Sequence, residues 1–111
     1  MLQTIQVLAE PHRFQIVELL LAGPRSVGEI ESKLRLKQPQ ASKHLKILRE
    51  AGLVDVQPLA QQRLYGLRAE PMRQLHDWIE RYRSLWDARF DALEVLVKEM
   101  NRKGRPKKRS K

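Results

Sequence analysis

The chain has no cysteine, which removes disulfides and thiolate chemistry altogether. It has no apolar run long enough to span a bilayer. Its N-terminus lacks the basic-then-apolar pattern of a secretory signal, so a cytoplasmic protein is expected. There is no glycine-rich phosphate loop and no nucleophile set beside a base, and the carboxylates are scattered along helical segments. These absences point away from an enzyme. The most informative absence is local. From Ser32 to Arg49 there is no acidic residue, while Lys33, Arg35, Lys37, Lys43, Lys46 and Arg49 all lie there.

What is present is charge of the other sign. The 111 residues carry a net charge of +9, which favours nucleic acid or an anionic membrane surface as partner. That charge is unevenly placed. All 13 acidic residues precede residue 102, and the last ten residues hold seven of the 22 Lys and Arg. The organisation expected is one folded domain over 1–101 and a disordered basic tail over 102–111. A domain of this size forms a core but gains from a partner.

The acid-free stretch sits inside a pair of punctuated helices. Ser26 followed by Glu29 has capping-box spacing, in which the hydroxyl takes one orphan N–H and the carboxylate reaches back to the cap. Val27, Ile30 and Leu34 then mark one face at helical spacing. Pro39 suits the first position of a second helix, where its missing N–H costs nothing. Ala41, Leu45 and Leu48 form the inward stripe of that helix, and Gly52 suits its left-handed terminus. Gln40, Ser42, Lys43, His44 and Lys46 remain for the other faces, able to bind phosphate or read base edges in a major groove. The plainer alternative is an amphipathic helix pair with a solvated basic face.

The next segment favours DNA. Val54–Gln57 alternates as a strand does, Pro58–Gln62 is a polar break, and Arg63–Arg68 is a second extended run. Strand, turn and strand after a recognition helix make a wing. Arg63 at its base is placed for backbone or minor groove, or equally for solvent; Tyr65 and Leu67 read as core.

The segments LAEPHRFQIVELLLAG, SVGEIESKL, QPQASKHLKILREAGLV and RLYGL together resemble the arsenic-repressor (ArsR/SmtB) family of bacterial winged-helix transcription factors. The resemblance covers about residues 5–95. It implies a mainly α fold with a small β-hairpin, in the order α-α-α-α-β-β-α. It further implies a homodimer that represses transcription from a palindromic operator, with Gln38, Gln40, Ser42, Lys43 and His44 at the DNA. Within the family the chain is more similar to the branch without metal sites, often autorepressors encoded beside a small ligand-binding protein. One departure concerns the wing turn, where the family usually has glycine and this chain has Ala60-Gln61-Gln62.

Dimerisation is expected from both ends of the domain. Between Pro71 and Gly104 there is neither Gly nor Pro, which allows a helix of about 30 residues, roughly 45 Å long. Met72, Leu75, Ile79, Tyr82, Trp86, Leu93, Leu96 and Met100 follow 3-4 spacing along it, interrupted by Arg89. Trp78, Leu85, Phe90 and Val97 widen that face beyond what one winged domain covers. Leu75, Ile79, Tyr82 and Trp86 are therefore assigned to a dimer interface, joined by the N-terminal stripe Leu2, Ile5 and Leu8.

Sensor sites familiar from metal-responsive relatives are not matched. Where those relatives carry cysteines, this chain has Ser26-Val27-Gly28-Glu29-Ile30; on the last helix His76 has Gln74 before it and Asp87 after it. His76 with Glu80 is too weak a set, and His12 and His44 read as isolated. The expectation is no metal site and no cofactor, which leaves release to an organic effector, to a partner protein, or only to dilution of the repressor itself. In the tail, Lys103-Gly104-Arg105-Pro106-Lys107 resembles an AT-hook, with Arg105 placed to enter an A/T-rich minor groove. The plainer reading is an arm that adds only phosphate affinity. Two other classes share these features: a nucleoid-type architectural binder of low sequence specificity, and a winged helix used for protein docking.

Overall fold

The computed structural model describes the backbone of residues 1–109 and the side chains of residues 1–103. The elements are α1 (Leu2–Leu8), α2 (Pro11–Leu20), β1 (Arg25–Ser26), α3 (Val27–Leu34), α4 (Gln38–Glu50), β2 (Val54–Leu59), β3 (Gln62–Leu67) and α5 (Ala69–Arg109). This is the expected order with one addition. β1, only two residues long, pairs antiparallel with β3 through Arg25↔Tyr65 and Ser26↔Leu64, making a three-stranded sheet in the order β1-β3-β2. Two residues carry no readable period, so this strand exists by virtue of its partner.

The chain divides into two compact units, Met1–Leu75 and His76–Lys111. The core of the first is built by Ile16, Val17 and Leu20 of α2, Ile30 of α3, Ala41, Leu45 and Leu48 of α4, with Leu36, Leu53, Val54 and Tyr65. Burying a side chain of this size stabilises by about 1.5–3 kcal/mol, so α4 is held by one complete face. Met72 packs against the same core.

The wing is longer than the alternation suggests. β2 and β3 run in register from Val54↔Leu67 to Leu59↔Gln62, closing on the two residues Ala60 and Gln61. Ala60 adopts φ +55°, the left-handed conformation that glycine takes without Cβ crowding.

At the N-terminus the expected stripe of Leu2, Ile5 and Leu8 is split. Thr4 is buried, and Val7 and Leu8 pack against the core. These three share a face at i, i+3 and i+4 spacing, while Leu2 is 67% exposed. Leu8 thus serves its own unit.

In the second unit α5 is helical through Arg109, where sequence alone suggests a disordered tail from residue 102. Nothing between 72 and 103 breaks a helix, and a helix once nucleated extends at little cost per residue, whereas the continuation past Gly104 and Pro106 has no local explanation. The side chain of Arg105 lies outside the described residues. Ile79, Tyr82, Leu85, Trp86, Phe90, Leu93, Leu96, Val97 and Met100 are all exposed along this unit. Arg89, which interrupts the stripe, lays its guanidinium over the Trp86 ring at 5.2 Å. No helix among the described residues is long and apolar enough to cross a membrane.

Candidate nucleic-acid interface

α3 starts and stops where its capping residues dictate. The Ser26 hydroxyl accepts the Glu29 N–H at 3.2 Å, and the Glu29 carboxylate accepts the Ser26 N–H at 3.1 Å. That backbone bond, with Arg25 nearby at 3.6 Å, holds the Glu29 carboxyl below its ordinary value. At the far end Arg35 takes φ +58° and Leu36 donates its N–H to the Glu31 carbonyl, which turns the chain sharply into α4.

α4 begins one residue before Pro39, at Gln38. Its first turn is held by Gln40, whose side-chain oxygen accepts the Lys37 N–H at 3.1 Å. The Lys37 side chain has no acceptor to return, so only half of a capping box forms. Gly52, at φ +79°, donates to the Arg49 carbonyl and Leu53 to that of Leu48, the bond pair of a Schellman motif.

With Ala41, Leu45 and Leu48 locked inward, the outward surface of α4 follows from 100° per residue. Pro39, Ser42, Lys43 and Lys46 fall on its outer half and are exposed, and Gln38, on the Leu45 side, is exposed because it opens the helix. Gln40 and His44, four residues apart, fall on one flank. Five of the residues expected at DNA are therefore exposed on one helix, with Gln40 partly committed to its own helix end. Arg63 is exposed on β3, opposite Pro58 in the wing.

His44 departs from the expectation. Its side chain is 13% exposed, and Nδ1 faces Glu10 Oε1 at 3.8 Å, beyond hydrogen-bond distance. Nδ1 is buried with no hydrogen-bond partner. His12 is there as well: the two imidazole centroids are 5.3 Å apart, and His12 Nδ1 is 3.3 Å from Glu10 Oε2. Neither histidine is isolated, because α2 crosses α4 at this point. Glu10 is oriented as the N-cap of α2, accepting the Arg13 N–H at 2.9 Å, while Arg13 Nε donates to the Val7 carbonyl at 2.8 Å. Burial works to raise the Glu10 carboxyl, but the Arg13 bond and the facing His44 and His12 outweigh it and hold the group below its ordinary value. His44 is pushed below the usual imidazole value, chiefly by burial. Glu10 opposes that shift, and His12, Arg13 and Lys43 add to it.

Glu10, His12 and His44 each offer one ligand atom, all within 4.8 Å of one another. Reading along the chain misses this cluster because His44 joins the neighbouring Glu10 and His12 only through packing. The sole local signal is Glu10 before Pro11, which marks a helix start rather than a site.

Known proteins resemble the chain over this same region. The model for bacterial regulatory proteins of the arsR family matches residues 10–56. The biofilm growth-associated repressor of Agrobacterium fabrum is 41% identical over 71 residues, covering 64% of this chain and 61% of that protein. The HTH-type transcriptional regulator Rv2034 of Mycobacterium tuberculosis is 38% identical over 77 residues, covering 69% and 72%. Among solved structures, the homodimeric winged helix-turn-helix DNA-binding domain Mb0332 of Mycobacterium bovis superposes with a TM-score of 0.61 at 26% identity, covering 74% of this chain and 76% of that one.

Proposed function

The chain belongs to the arsR family of bacterial regulatory proteins, and on that premise we propose that it is a cytoplasmic homodimeric repressor that binds a near-palindromic operator. The observation that carries this is the outward side of α4. Ser42, Lys43 and Lys46 stand on it with Gln38 exposed at the helix start, no carboxylate occurs from residue 32 to 49, and the opposite side is locked into the core. A helix of that kind enters a major groove with its N-terminal polar residues at base edges and its lysines at phosphates. Arg63 on the wing adds a contact to the flanking backbone.

A second copy of the chain supplies the cover for α5. Ile79, Tyr82, Trp86 and Phe90 line one apolar hollow on this helix. Leu75 at the start of the stripe and Leu2 and Ile5 on α1 are the further interface residues. The homodimeric Mycobacterium bovis domain supports this assignment. Two-fold pairing sets the recognition helices about 34 Å apart, one turn of DNA. The architectural alternative finds no support among the relatives, which are named as repressors, regulators and, for HlyU of Vibrio cholerae, a transcriptional activator.

The test is binding to the DNA upstream of the chain's own gene, with unrelated DNA as competitor at fixed salt. A protected, near-symmetric site that survives competition is the expected result; equal displacement by any duplex would exclude a sequence-specific repressor.

A further inference from the structure

We propose that Glu10, His12 and His44 form a site for a divalent transition metal of the zinc class, clamping the start of α2 to the flank of α4 and leaving a fourth position to water. The donor set, two imidazoles and one carboxylate, suits zinc and its borderline neighbours rather than magnesium or calcium. Spacing agrees. Ligands about 2.0–2.1 Å from a tetrahedral zinc stand about 3.3 Å from each other. His12 Nδ1 to Glu10 Oε2 is 3.3 Å, His44 Nδ1 to Glu10 Oε1 is 3.8 Å, and one donor atom of each residue lies within 4.8 Å of the other two.

Two further features point to a ligand rather than a structural strut. His44 Nδ1 is buried without a partner, and at 3.8 Å its approach to Glu10 is too long to be the hydrogen bond a strut requires. Glu10 Oε1 accepts the Arg13 N–H at 2.9 Å, which leaves Oε2, the oxygen beside His12, to ligate and supplies the outer hydrogen bond that orients a ligating carboxylate. His44 lies directly after Lys43 and two residues after Ser42 on α4. An ion here would fix the rotation of α4 about its own axis, and with it the aim of Ser42 and Lys43. That consequence rests on α4 being the recognition helix; the metal site itself does not.

The experiment uses full-length protein freed of metal by chelation, titrated with Co²⁺ by absorption and with Zn²⁺ by calorimetry, without DNA. One ion per chain is expected, with nitrogen-ligand d–d bands and a melting midpoint that rises with Zn²⁺ by mass action. His12→Ala and His44→Asn should each weaken binding about tenfold or more. His76→Ala, which removes the exposed pair with Glu80, should leave it unchanged. His12→Ala carries the decision because His12 sits at the partly exposed start of α2, and its own cooperative melting reports whether it folds. Binding retained in His12→Ala, lost in His76→Ala, or absent from the wild type overturns the site. Because DNA is absent, the result stands whether or not α4 reads an operator.

Discussion

The side-chain oxygen of Gln40 accepts the backbone N–H of Lys37 at 3.1 Å, so one of the residues expected from sequence to read a base also holds the first turn of its own helix. Replacing Gln40 with Ala should therefore lower melting temperature and weaken operator and random DNA together, because the first turn of α4 frays. Ser42→Ala should leave stability intact and cost about 1–3 kcal/mol of discrimination if the hydroxyl meets a base. Lys46→Ala should weaken both DNAs alike. Fluorescence anisotropy on operator and scrambled duplexes, beside thermal melts, separates the three outcomes.

The apolar side of α5 has its own test. Trp86 is 42% exposed and Ile79 52%. Replacing either with Glu should convert a dimer into a monomer by light scattering at micromolar concentration, with cooperative melting retained by the Met1–Leu75 unit, whose core these residues do not enter. A wild-type chain that is monomeric in that measurement would refute the two-fold assembly.

Truncation after Asn101 removes seven positive charges per subunit. Each phosphate that the shortened chain leaves unneutralised should flatten the slope of log affinity against log salt by about 0.9. An unspecific arm weakens operator and random DNA together. If Arg105 enters a minor groove, truncation and Arg105→Ala should both cost more on A/T-flanked than on G/C-flanked operators.

The capping box makes an acid-side prediction. The Glu29 carboxyl is depressed, first by the Ser26 N–H bond, so its contribution is present above its ordinary value of 4.5 and is lost as pH falls through the lower folded-state value. The melting temperature of Glu29→Gln should accordingly lie below wild type near neutrality and converge with it in acid. Parallel curves across that range would mean that the carboxylate bond contributes nothing to α3.

At the wing tip, Ala60 holds a left-handed conformation without being glycine. Ala60→Gly should stabilise by up to about 1 kcal/mol, relief of Cβ crowding exceeding the added entropy of the unfolded chain. Denaturant unfolding of the two proteins measures the difference. A loss of stability would mean that the turn tolerates Ala60 without strain.

Much of this molecule was written in local spacing. Ser26 with Glu29, Gly52 after Leu48, and Ala41 with Leu45 and Leu48 determined the two helices and their inward face, because caps and helical stripes act over three or four residues. The exposed apolar row from Ile79 to Met100 was legible for the same reason. Tertiary structure decided what local spacing has no means to encode. It made a strand of Arg25 and Ser26 by pairing them with β3, and turned Thr4, Val7 and Leu8 inward while leaving Leu2 outside. It also set His44 on the flank of α4 that faces Glu10 and His12 rather than on its exposed side. Glu10 and His12 share the first turn of α2, whereas His44 lies on α4. Only the packing of α2 across α4 brings their ring nitrogens and carboxylate within reach of a single ion.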